Sequence, residues 1–149
     1  MTDRLLPGLE AVLQSEVPTT LEGVDAVHDL LAAFWEQEPE VPDLCRMRVE
    51  TAVVEVVANI VEHAFAADQT SGADGQHRRL TIAVGREDAS IVVACRDNGL
   101  PAAIDLSDVT MPDDDAESGR GLAMAIQVLD ELRYEHREGR NFWRLTCTM

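Results

Sequence analysis

The run Val49-Glu50-Thr51-Ala52-Val53-Val54-Glu55-Val56-Val57-Ala58-Asn59-Ile60-Val61-Glu62-His63-Ala64-Phe65 sets the terms for the whole chain. Wound as a helix at about 100° per residue, it places Val49, Val53, Val54, Val56, Val57, Ile60, Val61 and Ala64 on one broad apolar arc. Glu55, Asn59 and Glu62 gather on the opposite stripe, with Ala52 among them and His63 on the flank. Glu55 and Asn59 are one turn apart and point the same way. Taken alone, such a stripe reads as the solvated face of an amphipathic helix. The richness in valine says more. β-Branched residues are mediocre helix formers, so packing on a core must hold this helix.

The chain has 149 residues, 46% of them apolar and only 4% aromatic. That is the size of one domain, spanning 1–149, with an aliphatic core. The formal net charge of −16 argues against direct partnership with nucleic acid or an anionic membrane. It fits a soluble protein whose partners carry basic patches, and it fits acidity kept for solubility alone equally well. Cys45, Cys95 and Cys147 are far apart and odd in number. They read as small buried hydrophobes in a reducing compartment, not as a disulfide set or a metal site. No signal-peptide h-region and no run of membrane-spanning length is evident, so the expected location is cytoplasmic.

Outward from the central helix, Leu9 to Val17 reads as a strand closed by Pro18-Thr19-Thr20. Thr20 is placed to cap a helix from Leu21 to about Glu38, where Val24, Val27, Leu30, Leu31 and Phe34 recur at three- and four-residue steps. After the breaker Glu38-Pro39-Glu40-Val41-Pro42, Asp43 is a suitable N-cap for the long helix. Asp68 to Gln76 is a loop. Leu80 to Val84 alternates as a half-buried strand, with a turn over Gly85–Asp88. Ser90 to Arg96 is more continuously apolar and is expected at the centre of the sheet. Residues 102–118 have weak periodicity and carry Asp113-Asp114-Asp115, which suits a flexible loop. Leu122 to about Asp130 is a helix, Leu132 to His136 a strand, Glu138-Gly139 a hairpin turn, and Asn141 to Met149 a last strand with Trp143, Leu145, Cys147 and Met149 on one face. The order β-α-α-β-β-α-β-β predicts an α+β fold, a mixed sheet with helices over one face.

Three segments carry chemistry: Glu55-x-x-x-Asn59 on the helix, Asp97-x-Gly99-x-Pro101 at a strand end, and Gly119-Arg120-Gly121-Leu122 at a helix start. Each has an ordinary reading when taken singly. Asp97 and Gly99 are turn residues. The glycine pair leaves free backbone N–H groups at a helix start, which is chemistry suited to phosphate. It is neither a Walker loop, since no Gly-Lys-Ser/Thr follows, nor a Rossmann fingerprint, since a loop precedes it.

In joint order and spacing, the three resemble the N, G1 and G2 boxes of the GHKL ATPases, the superfamily with the Bergerat ATP-binding fold. Asn59-Ile60-Val61-Glu62-His63-Ala64-Phe65 is similar to the N box of the bacterial anti-sigma factor serine/threonine kinases. The Asp-x-Gly-x-Pro form of G1 and the run Gly119 to Leu132 resemble the same branch. The resemblance covers residues 10 to 149. It implies ATP and Mg2+ as ligands, with Asn59 binding the metal and the phosphates. Asp97 accepts a hydrogen bond from the adenine amino group, Gly99 lets the backbone approach the base, and Pro101 is a further cofactor-binding residue of the same box. Gly119, Arg120, Gly121 and Leu122 form the phosphate-side loop and helix start. Arg120 facing solvent and His63 bonded to backbone are alternatives that stay open beside phosphate contacts. Glu55 is implied as the catalytic base, acting on a substrate hydroxyl that attacks the γ-phosphate.

By the same resemblance, the chain is expected to be an anti-sigma factor serine/threonine protein kinase. It binds a sigma factor and phosphorylates an anti-sigma factor antagonist, a STAS-domain protein, in a partner switch; a homodimer is compatible with this. The alternative is a non-catalytic module of the same fold that binds ATP or a partner. Glu55 favours the kinase, because a pure binder needs no base there. A sensor histidine kinase is expected less, for want of a phosphoacceptor helix hairpin or membrane segment. The segment 102–118 is expected to act as a lid.

Overall fold

The structure, a computed structural model, describes residues 5–64, 79–99 and 120–149. Five strands and three helices follow in the order β1 (Glu10–Val17), α1 (Glu22–Gln37), α2 (Asp43–Asn59), β2 (Leu80–Glu87), β3 (Ser90–Asp97), α3 (Arg120–Val128), β4 (Glu131–Arg137) and β5 (Arg140–Thr148). The strands lie in the order β1-β2-β3-β5-β4. The α+β class and the central place of β3 are as expected. The sheet is not mixed, however, since all four pairings are antiparallel. β3 and β4, joined through α3, do run the same way, but β5 folds back from β4 by a tight hairpin and inserts between them. That turn puts Glu138 at φ 53° and Gly139 at φ 74°.

Strand alternation sends one face of the sheet to the helices. Leu80, Ile82 and Val84 of β2, Ile91, Val93 and Cys95 of β3, and Trp143, Leu145 and Cys147 of β5 form one cluster with all three helices. Val27, Leu31 and Phe34 come from α1, Val49, Val53, Val56 and Val57 from α2, and Leu122 and Ala125 from α3. The other face carries a smaller cluster, in which Leu6 sits on Ala83, Val92 and Ala94. Gly85 makes room for this cover. A Cβ built there would meet Val12 Cγ2 at 3.0 Å and Leu9 Cδ1 at 3.3 Å. The Leu5 N–H donates to Gln14 Oε1 at 2.9 Å and ties the N-terminal segment down.

Element ends differ from expectation for local reasons. Pro42, with extended backbone, holds the cap position of α2, and Asp43 is the first helical residue. There its charge complements the helix dipole without a capping bond. Leu21 holds the cap position of α1, and Thr20 serves from one residue earlier, its Oγ1 accepting the Glu22 N–H at 3.3 Å. β2 runs through the expected turn to Glu87, and the chain reverses at Asp88, at φ 53°. α-Geometry ends at Asn59, and Ile60–Ala64 continues as a π-helical turn. Among the described residues no helix is long and apolar enough to cross a membrane.

Candidate functional site

β3 ends on Asp97, which is paired in register with Leu80 of β2 on one side and Asn141 of β5 on the other. Just beyond it, the Arg79 N–H donates to Asn98 Oδ1 at 2.8 Å and the Asn98 N–H donates to Arg79 O at 3.3 Å. These bonds clamp the strand end, so the Asp97 side chain leaves a fixed point. It is 2% exposed.

The two oxygens of Asp97 have different surroundings. Oδ1 accepts the Gly99 N–H at 2.9 Å and the Asn141 Nδ2–H at 2.8 Å. Oδ2 is buried and, among the described residues, has no hydrogen-bond partner. A buried acceptor without a donor costs about 1–3 kcal/mol, so a native fold keeps one for a reason. Burial pushes the Asp97 carboxyl above the usual range, against the opposing pull of the Asn141 and Gly99 bonds and the nearby His136. The site therefore offers one desolvated acceptor atom, aimed where no described group answers it. That is chemistry suited to the exocyclic amino group of adenine.

Asn141, 1% exposed, lies in a further set of bonds. Its Nδ2 also donates to Gly99 O at 3.3 Å. Its Oδ1 accepts the Tyr134 hydroxyl and lies 3.0 Å from His136 Nδ1. Sequence reasoning missed these three residues. A signal for Asn141 existed: it continues the inward-facing series Trp143, Leu145, Cys147 by two residues, and a polar side chain on a buried strand face needs partners. Nothing in the sequence pointed to Tyr134 or His136, because their role follows from β4 and β5 pairing.

The central helix supplies the other half of the candidate site. Glu55 and Asn59 are both half-buried, shielded yet reachable, and Asn59 is the last α-helical residue before the π turn. π Turns widen the helix locally and are frequent at functional sites. The polar stripe is narrower than expected: Ala52, assigned to it, is wholly buried, while Val54 on the apolar arc is half-exposed. α2 packs most extensively against α3 and also against β5. Asn59 offers one neutral carbonyl oxygen, which suits Mg2+, a cation usually held by one or two protein oxygens with phosphates and waters.

His63 lies in the π turn, and its side chain is outside the described residues. Arg120 and Gly121 form the start of α3, two residues earlier than expected, and their side-chain surroundings are likewise outside. Leu122 is 3% exposed and packs in the main core, so its side chain anchors the helix. Pro101, Gly119 and the expected lid 102–118 also lie outside the described residues. Asp97 and Gly99 are brought into one bonded unit with Asn141, while Glu55 and Asn59 share one helix face.

The family model for the histidine kinase-like ATPase domain matches residues 17–147. No curated protein matches the chain. Among solved structures, the crystal structure of the RsbU and RsbW domains of Rv1364c from Mycobacterium tuberculosis superposes with a TM-score of 0.65 at 21% identity, over 92% of this chain. This chain spans about a third of that one, which is covered over 32% of its length. At that identity the likeness is one of fold.

Proposed function

The chain belongs to the histidine kinase-like ATPase domain family, and from that premise we propose that it is an ATP-dependent serine/threonine protein kinase acting in a partner switch. In this reading it is a single domain that binds a sigma factor and phosphorylates an anti-sigma factor antagonist of the STAS type, in the cytoplasm. The fold likeness to a protein with an RsbW domain supports the choice of branch.

The observation that carries nucleotide binding is Asp97: a buried carboxylate with one oxygen tied by two donors and the other without a donor among the described residues. The adenine amino group completes it. Asn59 would hold Mg2+, which would neutralise charge on the phosphates. In this reading Gly119, Arg120, Gly121 and Leu122 would serve the phosphates, and His63 would add a further contact. Glu55 orients the incoming serine or threonine hydroxyl and accepts its proton as the new oxygen–phosphorus bond forms and ADP leaves. Phosphoryl transfer is mostly positioning and charge stabilisation, so this sparse set is sufficient.

Two measurements test the reading. Titration calorimetry with Mg-ATP should give saturable one-site binding; no heat overturns it. Incubation with labelled ATP and antagonists encoded nearby should label a serine or threonine. Binding without transfer to any of them establishes the other reading, a non-catalytic module of the same fold.

A further inference from the structure

We infer that Asn141, held by Tyr134 and His136, is the positioning residue that sets base selectivity, by fixing which oxygen of Asp97 is left for the purine. The inference rests on the nucleotide reading above and goes beyond it, since no family box contains these three residues.

Asn141 is engaged at both ends of its amide. A side-chain amide has two N–H donors and two acceptor lone pairs. Its N–H groups go to Asp97 Oδ1 and Gly99 O, at 2.8 and 3.3 Å. Its Oδ1 faces the Tyr134 hydroxyl and His136 Nδ1. The Tyr134 hydroxyl donates to Oδ1, and His136 Nδ1 lies 3.0 Å from it. A flipped amide would turn its oxygen toward Asp97 Oδ1 and Gly99 O, acceptor against acceptor. Its nitrogen is therefore fixed toward Asp97, where it doubles the Gly99 bond on Oδ1 and excludes Oδ1 from the ligand. Only Oδ2 remains, as an acceptor.

A lone acceptor selects for a donor. Adenine presents an amino group at that edge. Hypoxanthine and guanine present a carbonyl oxygen, which would face Oδ2 acceptor to acceptor. Selectivity thus depends on a chain of bonds from β4 through β5 to β3. Tyr134 is itself braced by Trp143, with ring centroids 4.6 Å apart.

The test compares Mg-ATP with Mg-ITP, which share the triphosphate and differ at this edge of the base. Affinities are measured by calorimetry for wild type, Asn141→Asp, Asn141→Ala and Tyr134→Phe, with melting curves alongside. Wild type should prefer ATP by about tenfold or more, the expected cost of an unanswered buried acceptor. Asn141→Asp keeps the shape but sets an acceptor against Oδ1; its ATP preference should fall to about threefold or less, with ITP affinity little changed. A merely structural role would weaken both nucleotides alike. If Asn141→Asp does not fold, Tyr134→Phe serves, because the half-buried ring stays and only the hydroxyl is lost; its preference should fall by about threefold. Folded variants that keep the wild-type preference overturn the inference alone, as does a wild type that binds ATP and ITP equally. A wild type that binds neither overturns the nucleotide reading itself.

Discussion

Asn141 lies directly across the β3–β5 ladder from Asp97 and donates to its Oδ1 at 2.8 Å, while Oδ2 of the same carboxylate is buried without a partner among the described residues. The asymmetry makes Asp97 both a structural and a binding group. Oδ1 completes the turn into Gly99, as a strand-end aspartate ordinarily does. Oδ2 contributes nothing to the fold and stands as a cost, the kind of local penalty that binding sites retain.

Asp97→Asn should therefore separate stability from binding. The asparagine oxygen can keep the Gly99 and Asn141 bonds, which puts its NH2 where Oδ2 stood. That removes a desolvated charge, so the melting midpoint at pH 8 should not fall. The new donor opposes the adenine amino group, so Mg-ATP affinity should drop by about 10–100-fold. A lower midpoint with intact ATP affinity would show that Asp97 is a structural residue only.

The same carboxyl gives a pH dependence with a definite sign. Its folded-state pKa is raised above the usual carboxylate range, chiefly by burial. For this group the fold favours the protonated form. Its contribution to stability is greatest below the unfolded pKa and is lost as pH rises through the folded one. Adenine has the opposite preference, because its amino group bonds best to the ionised oxygen. ATP affinity should thus decline as pH falls through the folded pKa, and binding there should take place with proton release. Calorimetry in buffers of differing ionisation heat measures this directly. The Asp97→Asn variant should lack the component; the same pH profile in both proteins would assign it to another group.

Much of this was legible in the chain. The valine-rich run predicts a packed helix, and Val49, Val53, Val56, Val57 and Ile60 are all core residues. What was not legible depended on neighbours. Ala52 reads as part of a polar stripe until the assembled core buries it. The sheet reads as mixed until β5 is seen to lie between β3 and β4, a choice made by pairing partners far apart in sequence. The boxes locate Asp97, but only the register of β5 supplies Asn141. Periodicity reports which way a side chain faces, and it is silent on what waits there.

The covered second face of the sheet offers a stability test remote from Asp97. At Gly85 a Cβ alone comes within 3.0 Å of Val12 and 3.3 Å of Leu9. Gly85→Val adds two further methyl groups and must push the N-terminal segment off the sheet. Overpacking of this kind costs about 1–3 kcal/mol. Chemical denaturation should show that loss, with Mg-ATP affinity retained in the folded variant. An unchanged midpoint would mean that Leu6 and its neighbours cover the sheet only loosely.

The three thiols are buried and free. Burial pushes Cys45 up to about 12, with Cys147 Sγ 3.6 Å away adding to the effect, and Cys95 is raised as well. The thiolate is the reactive form, so the native protein at pH 8 should react slowly with a thiol reagent. All three should titrate at once in denaturant. Fast stoichiometric labelling of the native state would contradict the buried assignment.

Glu55 decides between kinase and binder. It is half-buried one turn before Asn59, on a helix held by valines on its far side, so its carboxylate is positioned without being a structural necessity. Glu55→Gln keeps the shape and an acceptor oxygen and removes the base. Mg-ATP affinity should change little, because Asp97 and Asn59 are untouched. Phosphate transfer to the antagonist should fall by about 10²–10⁴-fold, the usual worth of a positioned base. Single-turnover transfer from labelled ATP isolates the chemical step from binding and release. A variant that transfers at the wild-type rate would remove Glu55 from the mechanism and leave transfer to positioning and metal alone. A variant that loses ATP binding as well would make Glu55 part of the nucleotide site instead of its base.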